Sequence, residues 1–347
     1  MLSKVKQSVK TVARPAVQRA RPLIDQAALL SAHMGPDRKG LEIIWQDDWT
    51  DTFDQALDSF APPRGCTMEQ YRTLLQPTEY TKRHALVLEN DTPVALISLR
   101  RRNRIWEPVA YQALTGFIAP ARDLPTLGRA LRATGLDILI GGGLNEDVLQ
   151  TGASFAHPYE VVRVDLQSDY EAYWELNDRQ HYKHVSSARK KCKRMHMVVN
   201  DKNDIEWIVN TWRDVWKDSP ENETVAAPER INFWNSLPTT SDNPEELTVQ
   251  VHTLYDGDER AAGAIVTSID GVQMGQCQVQ LKKHRNRGAG TRILDLTLEH
   301  SAKAGFKYHD FGGGHGYKSL WGPMDGRRYY AGFRPKLLDR FEWAFDK

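Results

Sequence analysis

The sequence is poor in cysteine and has no long apolar run. Only three of its 347 residues are cysteines, Cys66, Cys192 and Cys277. They lie far apart, form no Cys-x-x-Cys pair and have no histidine at zinc-site spacing, so neither a disulfide framework nor a zinc site is expected. No stretch approaches the roughly 18 consecutive apolar residues that cross a bilayer. These absences predict a reduced, cytoplasmic protein that does not span a membrane.

The sequence also lacks an excess of charge of either sign. The chain has 46 Lys and Arg against 45 Asp and Glu. No overall field therefore recruits nucleic acid or a membrane, and any electrostatic partner must bind locally. At roughly 150 residues per domain, the length favours about two domains.

The N-terminal segment differs from the rest of the chain. Residues 1–23 contain no acidic residue but six basic ones: Lys4, Lys6, Lys10, Arg14, Arg19 and Arg21. The segment lacks the apolar core of a signal peptide. A solvated arm spanning residues 1–40 is the simplest interpretation. A basic helix that makes peripheral contact with anionic lipid or with a partner, and a transit peptide, are the alternatives.

From residue 41 onward the chain alternates strand-like and helix-like patterns, which is typical of an α/β (mixed α+β) fold. Hairpins are expected at Asn90-Asp91, at Asp256-Gly257 and at Asp270-Gly271. Two passages can be superposed at a nearly constant offset: Ala95 matches Gly263, and Gly135 matches Gly305. An internal duplication explains this offset, and so does chance similarity between two generic α/β units. We place the boundary near residue 155, between domains 41–155 and 156–347.

Two helical segments in the second half have readable faces. Residues 204–217 carry apolar side chains at helical spacing, which predicts a buried aromatic face that includes Trp212, Val215 and Trp216. An aromatic face that stacks on a ligand is the alternative. Residues 189–194 carry five basic side chains that wrap around a helix. A solvated surface and a contact with phosphate are both open for this segment.

The stretch "HDFGGGHGYKSLWG", residues 309–322, superficially resembles a phosphate-binding P-loop. That pattern requires Gly-Lys-Ser/Thr opening a helix. Here Tyr317 stands where the second glycine is needed, and Gly322 and Pro323 would break the helix at its start. A P-loop is therefore excluded.

The hexapeptide "RNRGAG", Arg285 to Gly290, follows a strand and precedes a helix. Unpaired N–H groups and the helix dipole make such a turn an anion site, and glycines let a pyrophosphate approach. The spacing differs from the dinucleotide pattern Gly-x-Gly-x-x-Gly, and no acidic residue follows at the required position. Nicotinamide binding is disfavoured.

The hexapeptide resembles the loop Gln/Arg-x-x-Gly-x-Gly/Ala of GNAT acyltransferases, which binds the pyrophosphate of coenzyme A. The later "DFGGGHGYKSLW" resembles the branch with the cellulose-biosynthesis-type acetyltransferases and the FemAB-like peptidyl transferases. The resemblance covers residues 160 to 335 and implies tandem GNAT-like domains, each a mixed central sheet flanked by helices. It implies that acetyl-CoA or another acyl-CoA binds at Arg285, Arg287, Gly288, Ala289, Gly290, Thr291 and Gln278. The matching place in the first half, residues 117–122, has no glycine turn.

The resemblance also implies catalytic roles. Backbone N–H groups of the strand around residues 276–280 would hold the oxyanion, and Tyr317 would protonate the leaving thiolate. Lys318 is a phosphate contact or a surface lysine. Asp310 and His315 are candidates for the general base, although the family's acidic pair is replaced here by Gly314-His315. No third convergent ligand supports a metal site with His309, Asp310 and His315.

Three functions stay open at this point. The first is an acyl-CoA-dependent N-acyltransferase acting on a small-molecule or saccharide amine, such as an amino sugar of a surface polysaccharide. The second is a FemAB-like transferase that takes an aminoacyl group from tRNA. The third is a noncatalytic GNAT-derived scaffold. The intact glycine loop and the balanced charge favour the first.

Overall fold

The computed structural model describes most of the chain. The described residues are 15–21, 23–24, 26–27, 39–62, 65–75, 82–102, 105–108, 117–118, 124–144, 146–166, 170–176, 179–217, 228–241, 243, 245–313, 316–324 and 326–334. Most of the basic arm lies outside these residues, and so does His315, a candidate base. Within the described part of the chain, no helix is long and apolar enough to cross a membrane.

The strands, in chain order, are β1 (Leu41–Gln46), β2 (Lys82–Glu89), β3 (Thr92–Arg102), β4 (Ile105–Pro108), β5 (Phe117–Ile118), β6 (Ile138–Leu144), β7 (Phe155–Asp165), β8 (His196–Val199), β9 (Thr248–Asp256), β10 (Glu259–Ile269), β11 (Val272–Gln280), β12 (Tyr308–Gly313) and β13 (Gly326–Phe333). The α-helices are α1 (Asp51–Asp58), α2 (Met68–Leu75), α3 (Leu124–Ala133), α4 (Tyr170–Leu176), α5 (Arg179–Lys191), α6 (Asn203–Val215), α7 (Pro228–Ser236) and α8 (Ala289–Lys303). Short 3₁₀ turns cover Glu146–Thr151, Lys282–Arg287 and Lys318–Leu320.

The chain forms two compact units. One contains Met1–Ala61, Leu75–Tyr159 and Arg328–Lys347, and the other contains Pro62–Leu74 and Glu160–Arg327. The chain thus passes between units at residue 160, whereas the sequence suggested a boundary near 155. Two segments, 62–74 and 328–347, belong to the unit other than the one that their chain position suggests.

The two units have the same strand topology. In the first unit the order is β1-β2-β3-β4-β6-β13, with antiparallel pairs except for parallel β4 and β6. In the second unit the order is β8-β9-β10-β11-β12-β7, with antiparallel pairs except for parallel β11 and β12. This identity of order and direction is what a duplicated domain would show. The last strand of each order is not the one that follows its neighbour in the chain. β7 follows β6 in the chain but pairs with β12, and β13 follows β12 but pairs with β6.

The hairpins expected from the sequence are present. Asn90 and Asp91, with φ of 51° and 62°, connect β2 to β3, and Asp270 and Gly271, with φ of 56° and 74°, connect β10 to β11. Both central residues of each turn are left-handed, as the tightest hairpin turns require. The segment that matches the glycine loop in the first unit begins as β5, which pairs with β3, and residues 119–123 lie outside the described part.

Helix α8 forms the centre of the second unit. One side of the helix contributes Leu294 and Leu298 to a cluster with aromatic side chains of α4, and another contributes Ala289 and Ile293 to a cluster with β9 and β10. Helix α6 buries Ile205, Ile208, Val209 and Trp212, but Val215 and Trp216 are 57% and 50% exposed. The prediction that Val215 and Trp216 belong to the buried face was wrong: α6 ends at Val215, and its buried side chains end at Trp212.

Candidate active site of the second unit

The glycine loop joins β11 to the start of α8. After the 3₁₀ turn Lys282–Arg287, Gly288 adopts a left-handed conformation with φ of 79°, and α8 begins at Ala289. A Cβ at position 288 would lie 3.0 Å from Cβ of Ala188. Glycine is therefore favoured at 288 both by backbone conformation and by space.

The start of α8 presents N–H groups that the helix itself cannot pair. The N–H of Arg292 is the first to bond within the helix, to the carbonyl of Gly288 at 2.9 Å. Among the described residues, none accepts a hydrogen bond from the N–H of Ala289 or Thr291. Free donors at the positive end of a helix dipole favour a bound anion, as the sequence predicts for this turn.

Two glutamines of β11 hold Gly290 from either side. The side-chain amide of Gln278 donates to the carbonyl of Gly290 at 2.9 Å, and the N–H of Gly290 donates to Oε1 of Gln280 at 3.0 Å. Gln278, which was predicted to bind the cofactor, donates to the loop backbone in this structure, and its contact with a cofactor stays a prediction. Gln280 was not predicted, because nothing in the sequence shows how far its side chain reaches.

The strands β11 and β12 separate beside this loop. Their parallel pairing runs from Val272↔Tyr308 to Met274↔Asp310 and ends there. The next residues are irregular in both strands: the register of β11 against β10 shifts around Gln276, and that of β12 against β7 shifts after Asp310. Bulges of this kind open a sheet and redirect backbone N–H groups. The part of β11 that follows the last of these pairs includes the segment predicted to hold the oxyanion.

The end of β12 holds the remaining candidate residues. Asp310 is fully buried, and its Oδ1 accepts a 2.6 Å hydrogen bond from the N–H of Gly312, which has φ of 73°. Its other oxygen lies 3.9 Å from Nη2 of Arg163. Lys318 donates through Nζ to the carbonyls of Phe311 and Gly313, at 2.6 and 3.2 Å. The ammonium group of Lys318 thus links two backbone carbonyls at the end of β12.

Tyr317 is the most accessible of these residues. Its side chain is 49% exposed, and partial burial raises the pKa of its phenol above the ordinary value of 10.0. The hydroxyl is therefore protonated at neutral pH, as a proton donor to a thiolate must be.

A comparison with protein families found a match within the second unit. Residues 179–319 match the family model described as Acetyltransferase (GNAT) domain. This segment of the second unit is therefore similar to the GNAT acetyltransferase domain. The match lies within the part of the chain that carries the glycine loop, helix α8 and the end of β12.

Solved structures similar to this chain have the same fold at low sequence identity. FemX matches with a TM-score of 0.51 and 10% identity, over 87% of this chain and 99% of that chain. A conserved protein of unknown function from Bacteroides thetaiotaomicron matches with a TM-score of 0.50 and 11% identity, over 84% of this chain and 99% of that one. The C-terminal domain (DUF2156) of a protein described as a lysylphosphatidylglycerol synthetase, from Agrobacterium fabrum, matches with a TM-score of 0.50 and 14% identity, over 72% of this chain and 84% of that one. The comparison with curated proteins found no match.

The two arginines of the glycine loop, Arg285 and Arg287, have different surroundings. The guanidinium of Arg287 is bound to the carboxylate of Asp256, at the turn between β9 and β10. Arg285 is exposed; its carbonyl accepts the N–H of Gly288 at 3.0 Å, but its guanidinium bonds to no residue that the structure describes. Arg285 is therefore the loop cation that is available to a phosphate.

The basic segment 189–194, at the end of α5, contacts the glycine loop. The thiol of Cys192 donates to the carbonyl of Arg287 at 3.4 Å, and Nζ of Lys191 lies 3.5 Å from the carbonyl of Asn286. Arg189 binds the buried Asp295 of α8, while Lys190 and Lys193 are exposed. The sequence left a solvated surface and a phosphate contact open for this segment. In the structure Arg189 is an internal ion-pair partner, and the exposed cations lie beside the loop.

Two buried histidines of the second unit, His252 and His309, lie beside polar side chains. Nδ1 of His252 lies 2.8 Å from the hydroxyl of Thr297, and Nδ1 of His309 lies 3.3 Å from Oε1 of Gln273. Burial, with smaller electrostatic contributions from His300 and His309, lowers the pKa of His252 to about 3, and burial lowers that of His309 to about 4. Both rings are therefore neutral at pH 7. Within the described ranges, no group of three His, Cys, Asp or Glu side chains could hold a metal ion.

Proposed function

We propose that this protein is an acyl-CoA-dependent N-acyltransferase whose second unit binds the acyl donor and catalyses the transfer. The observation that carries the proposal is the start of α8, where Gly288 turns the chain and the N–H groups of Ala289 and Thr291 have no acceptor among the described residues. A pyrophosphate fits such a site, because backbone donors and a helix dipole bind it without a bulky side chain in the way.

The remaining residues have assignable roles in this proposal. Arg285 contributes a positive charge beside the pyrophosphate, and the loop residues Arg287 and Gly290 hold the backbone in shape. The acyl thioester binds where β11 and β12 stop pairing, so that backbone N–H groups of β11 around residues 276–280 stabilise the oxyanion. Tyr317 donates a proton to the leaving thiolate.

The base that deprotonates the amine is assigned to Asp310 in this proposal. The carboxylate lies at the point where β11 and β12 separate, and it is already an acceptor for one backbone N–H. His315, the alternative base, lies outside the described residues. Lys318 is assigned a supporting role, because its ammonium group is bound to two carbonyls of β12.

The acceptor is an amine, and an amino sugar of a surface polysaccharide is our first candidate. This choice follows the resemblance of residues 309–321 to the cellulose-biosynthesis-type branch of the family, and acetyl is the acyl group that we would test first. A peptide or amino-acid amine is the next candidate.

A direct test measures thiol release from acetyl-CoA with a panel of amino sugars and peptides, together with calorimetric titration of coenzyme A. Gly288→Ala should bind coenzyme A at least about tenfold more weakly, because a side chain at 288 strains the turn and meets Ala188. Gly257→Ala is the matched control, since Gly257 also has a positive φ, of 63°, but has open space around it. Absence of coenzyme A binding by the folded wild type would refute the proposal.

One observation favours a second candidate, transfer of an aminoacyl group from tRNA. Lys190, Lys193 and Arg194 are exposed on the segment that packs beneath the loop, and they could contact a polynucleotide backbone. Binding of charged tRNA should then weaken steeply as salt rises, because phosphate contacts release counterions. A flat salt response, or no binding, would eliminate this candidate.

A further inference from the structure

Gln278 and Gln280 of β11 both bind the backbone of Gly290, in the first turn of α8. Gln278 and Gln280 are two residues apart on β11, so their side chains lie on the same face of the strand. Both face the first turn of α8, where one binds the carbonyl of Gly290 and the other its N–H. One residue of the loop is thereby fixed at both of its backbone polar groups.

The glycine at 290 matches this arrangement. A Cβ at this position would lie 2.7 Å from Oε1 and 2.8 Å from Cδ of Gln280. The carboxamide therefore occupies the space that any other residue would need. Strand and loop fit each other here through Gln280 rather than through apolar packing.

The carboxamide also determines which donors remain at the start of α8. The N–H groups of Ala289, Gly290 and Thr291 all lack partners within the helix. Gln280 accepts the hydrogen bond from Gly290, whereas Ala289 and Thr291 have no acceptor among the described residues. The middle donor is used to fix the turn, and its two neighbours stay available to an anion.

The neutrality of Gln280 is the informative property. A carboxylate would accept the same hydrogen bond and would bind a helix N-terminus more strongly, because it is attracted by the dipole. It would also place a negative charge where the pyrophosphate has to bind. A neutral acceptor fixes the turn and leaves the positive end of the helix uncompensated.

We propose that Gln280 is a positioning residue for acyl-CoA, which fixes Gly290 and the first turn of α8 without neutralising the charge that binds the pyrophosphate. This inference rests on the proposed function. It adds a specific requirement, namely that residue 280 accepts a hydrogen bond and carries no charge.

The test uses Gln280→Glu and Gln280→Met in the full chain, with coenzyme A as the probe. Gln280→Glu keeps the acceptor, so its thermal midpoint should equal or exceed that of the wild type. Its dissociation constant for coenzyme A should rise about tenfold, as expected for a like charge a few ångströms from a phosphate, and the difference should shrink as salt is added. Gln280→Met removes the acceptor and should weaken coenzyme A binding severalfold at low and high salt alike.

Gln70→Glu is the matched control. Oε1 of Gln70 accepts the N–H of Thr67 at 2.8 Å at the start of α2, so this variant makes the same chemical change at another helix start of the second unit. It should bind coenzyme A as the wild type does. A KM for acetyl-CoA that rises in Gln280→Glu while kcat is retained would identify positioning of the donor.

The outcomes separate the two proposals. If the wild type binds coenzyme A and Gln280→Glu binds it equally well, the role of Gln280 is refuted while the proposed function stands. If Gln280→Glu does not fold, wild-type affinity in Gln280→Met refutes the role instead. If the folded wild type does not bind coenzyme A, the proposed function fails, and the role of Gln280 fails with it.

Discussion

Arg189 binds the fully buried carboxylate of Asp295 with two hydrogen bonds, of 2.9 Å from Nε and 2.7 Å from Nη2. Tyr170 donates to the same carboxylate at 2.5 Å, and Arg292 forms an ion pair with it. The hydrogen bonds to the Asp295 carboxylate raise the pKa of the Arg189 guanidinium above its ordinary value. This group joins α4 and α5 to α8 directly behind the turn that begins at Gly288.

Replacing Arg189 should therefore destabilise the second unit. Arg189→Ala leaves Asp295 buried with fewer donors, and we expect the free energy of unfolding to fall by about 2–4 kcal/mol. Lys190→Ala, a change at the next and exposed residue, should alter it by less than about 0.5 kcal/mol. Urea unfolding of both variants measures the difference. Equal stability of Arg189→Ala and the wild type would contradict the structural role of this pair.

The exposed Arg285 should contribute to binding of coenzyme A through its charge. Arg285→Ala should weaken binding about three- to tenfold at low salt, and the loss should shrink as ionic strength rises. Lys283→Ala serves as a control, because Lys283 is already paired with Glu259. Calorimetric titration at two salt concentrations checks this. A larger loss for Lys283→Ala than for Arg285→Ala would show that the anion site is misplaced.

Tyr317 should affect the chemical step rather than donor binding. In Tyr317→Phe we expect kcat to fall about a hundredfold while KM for acetyl-CoA stays within twofold, as for a lost general acid. Tyr330→Phe is the control, since Tyr330 is a similarly exposed tyrosine, at 44%. Steady-state kinetics of both variants distinguish the cases. Wild-type kcat in Tyr317→Phe would remove Tyr317 from the mechanism.

The buried histidines should make the fold sensitive to acid. The pKa values of His252 and His309 in the folded protein, about 3 and about 4, lie below the ordinary value of 6.5. Below pH 6.5 the unfolded chain binds protons that the folded chain does not, so stability is fully present above that pH and is lost as pH falls toward 4. Each such histidine contributes a slope of about 1.4 kcal/mol per pH unit.

A variant can assign part of that slope. His252→Gln keeps a group able to bond with Thr297 but removes the titration, so the dependence of unfolding free energy on pH should become shallower by about one histidine's share. Urea midpoints between pH 7 and pH 4.5 provide the measurement. An unchanged slope in this variant would mean that His252 is not a neutral buried group in the folded protein.

Local features of this protein were readable from the sequence. The hairpin at Asn90-Asp91 and the helix that follows the hexapeptide Arg285 to Gly290 were expected from turn chemistry and apolar periodicity, which act over a few residues. The glycine loop was readable for the same reason: a strand, a glycine turn and a helix start are contiguous in the chain, and Gly288 has the left-handed φ that such a turn requires.

Features that join distant segments were decided only by the tertiary structure. No periodicity indicates that β7 pairs with β12 while β13 pairs with β6, or that Arg189 is bound to Asp295 instead of facing solvent. Gln280 likewise has no sequence signal, because its meaning depends on Gly290 lying across from it. The sequence by itself determined the elements and the glycine turn before α8, since both are set by neighbouring residues. The structure decided the exchange of strands, the ion pair behind the loop and the glutamine that fixes it, because each depends on a contact between residues that the chain brings together only on folding.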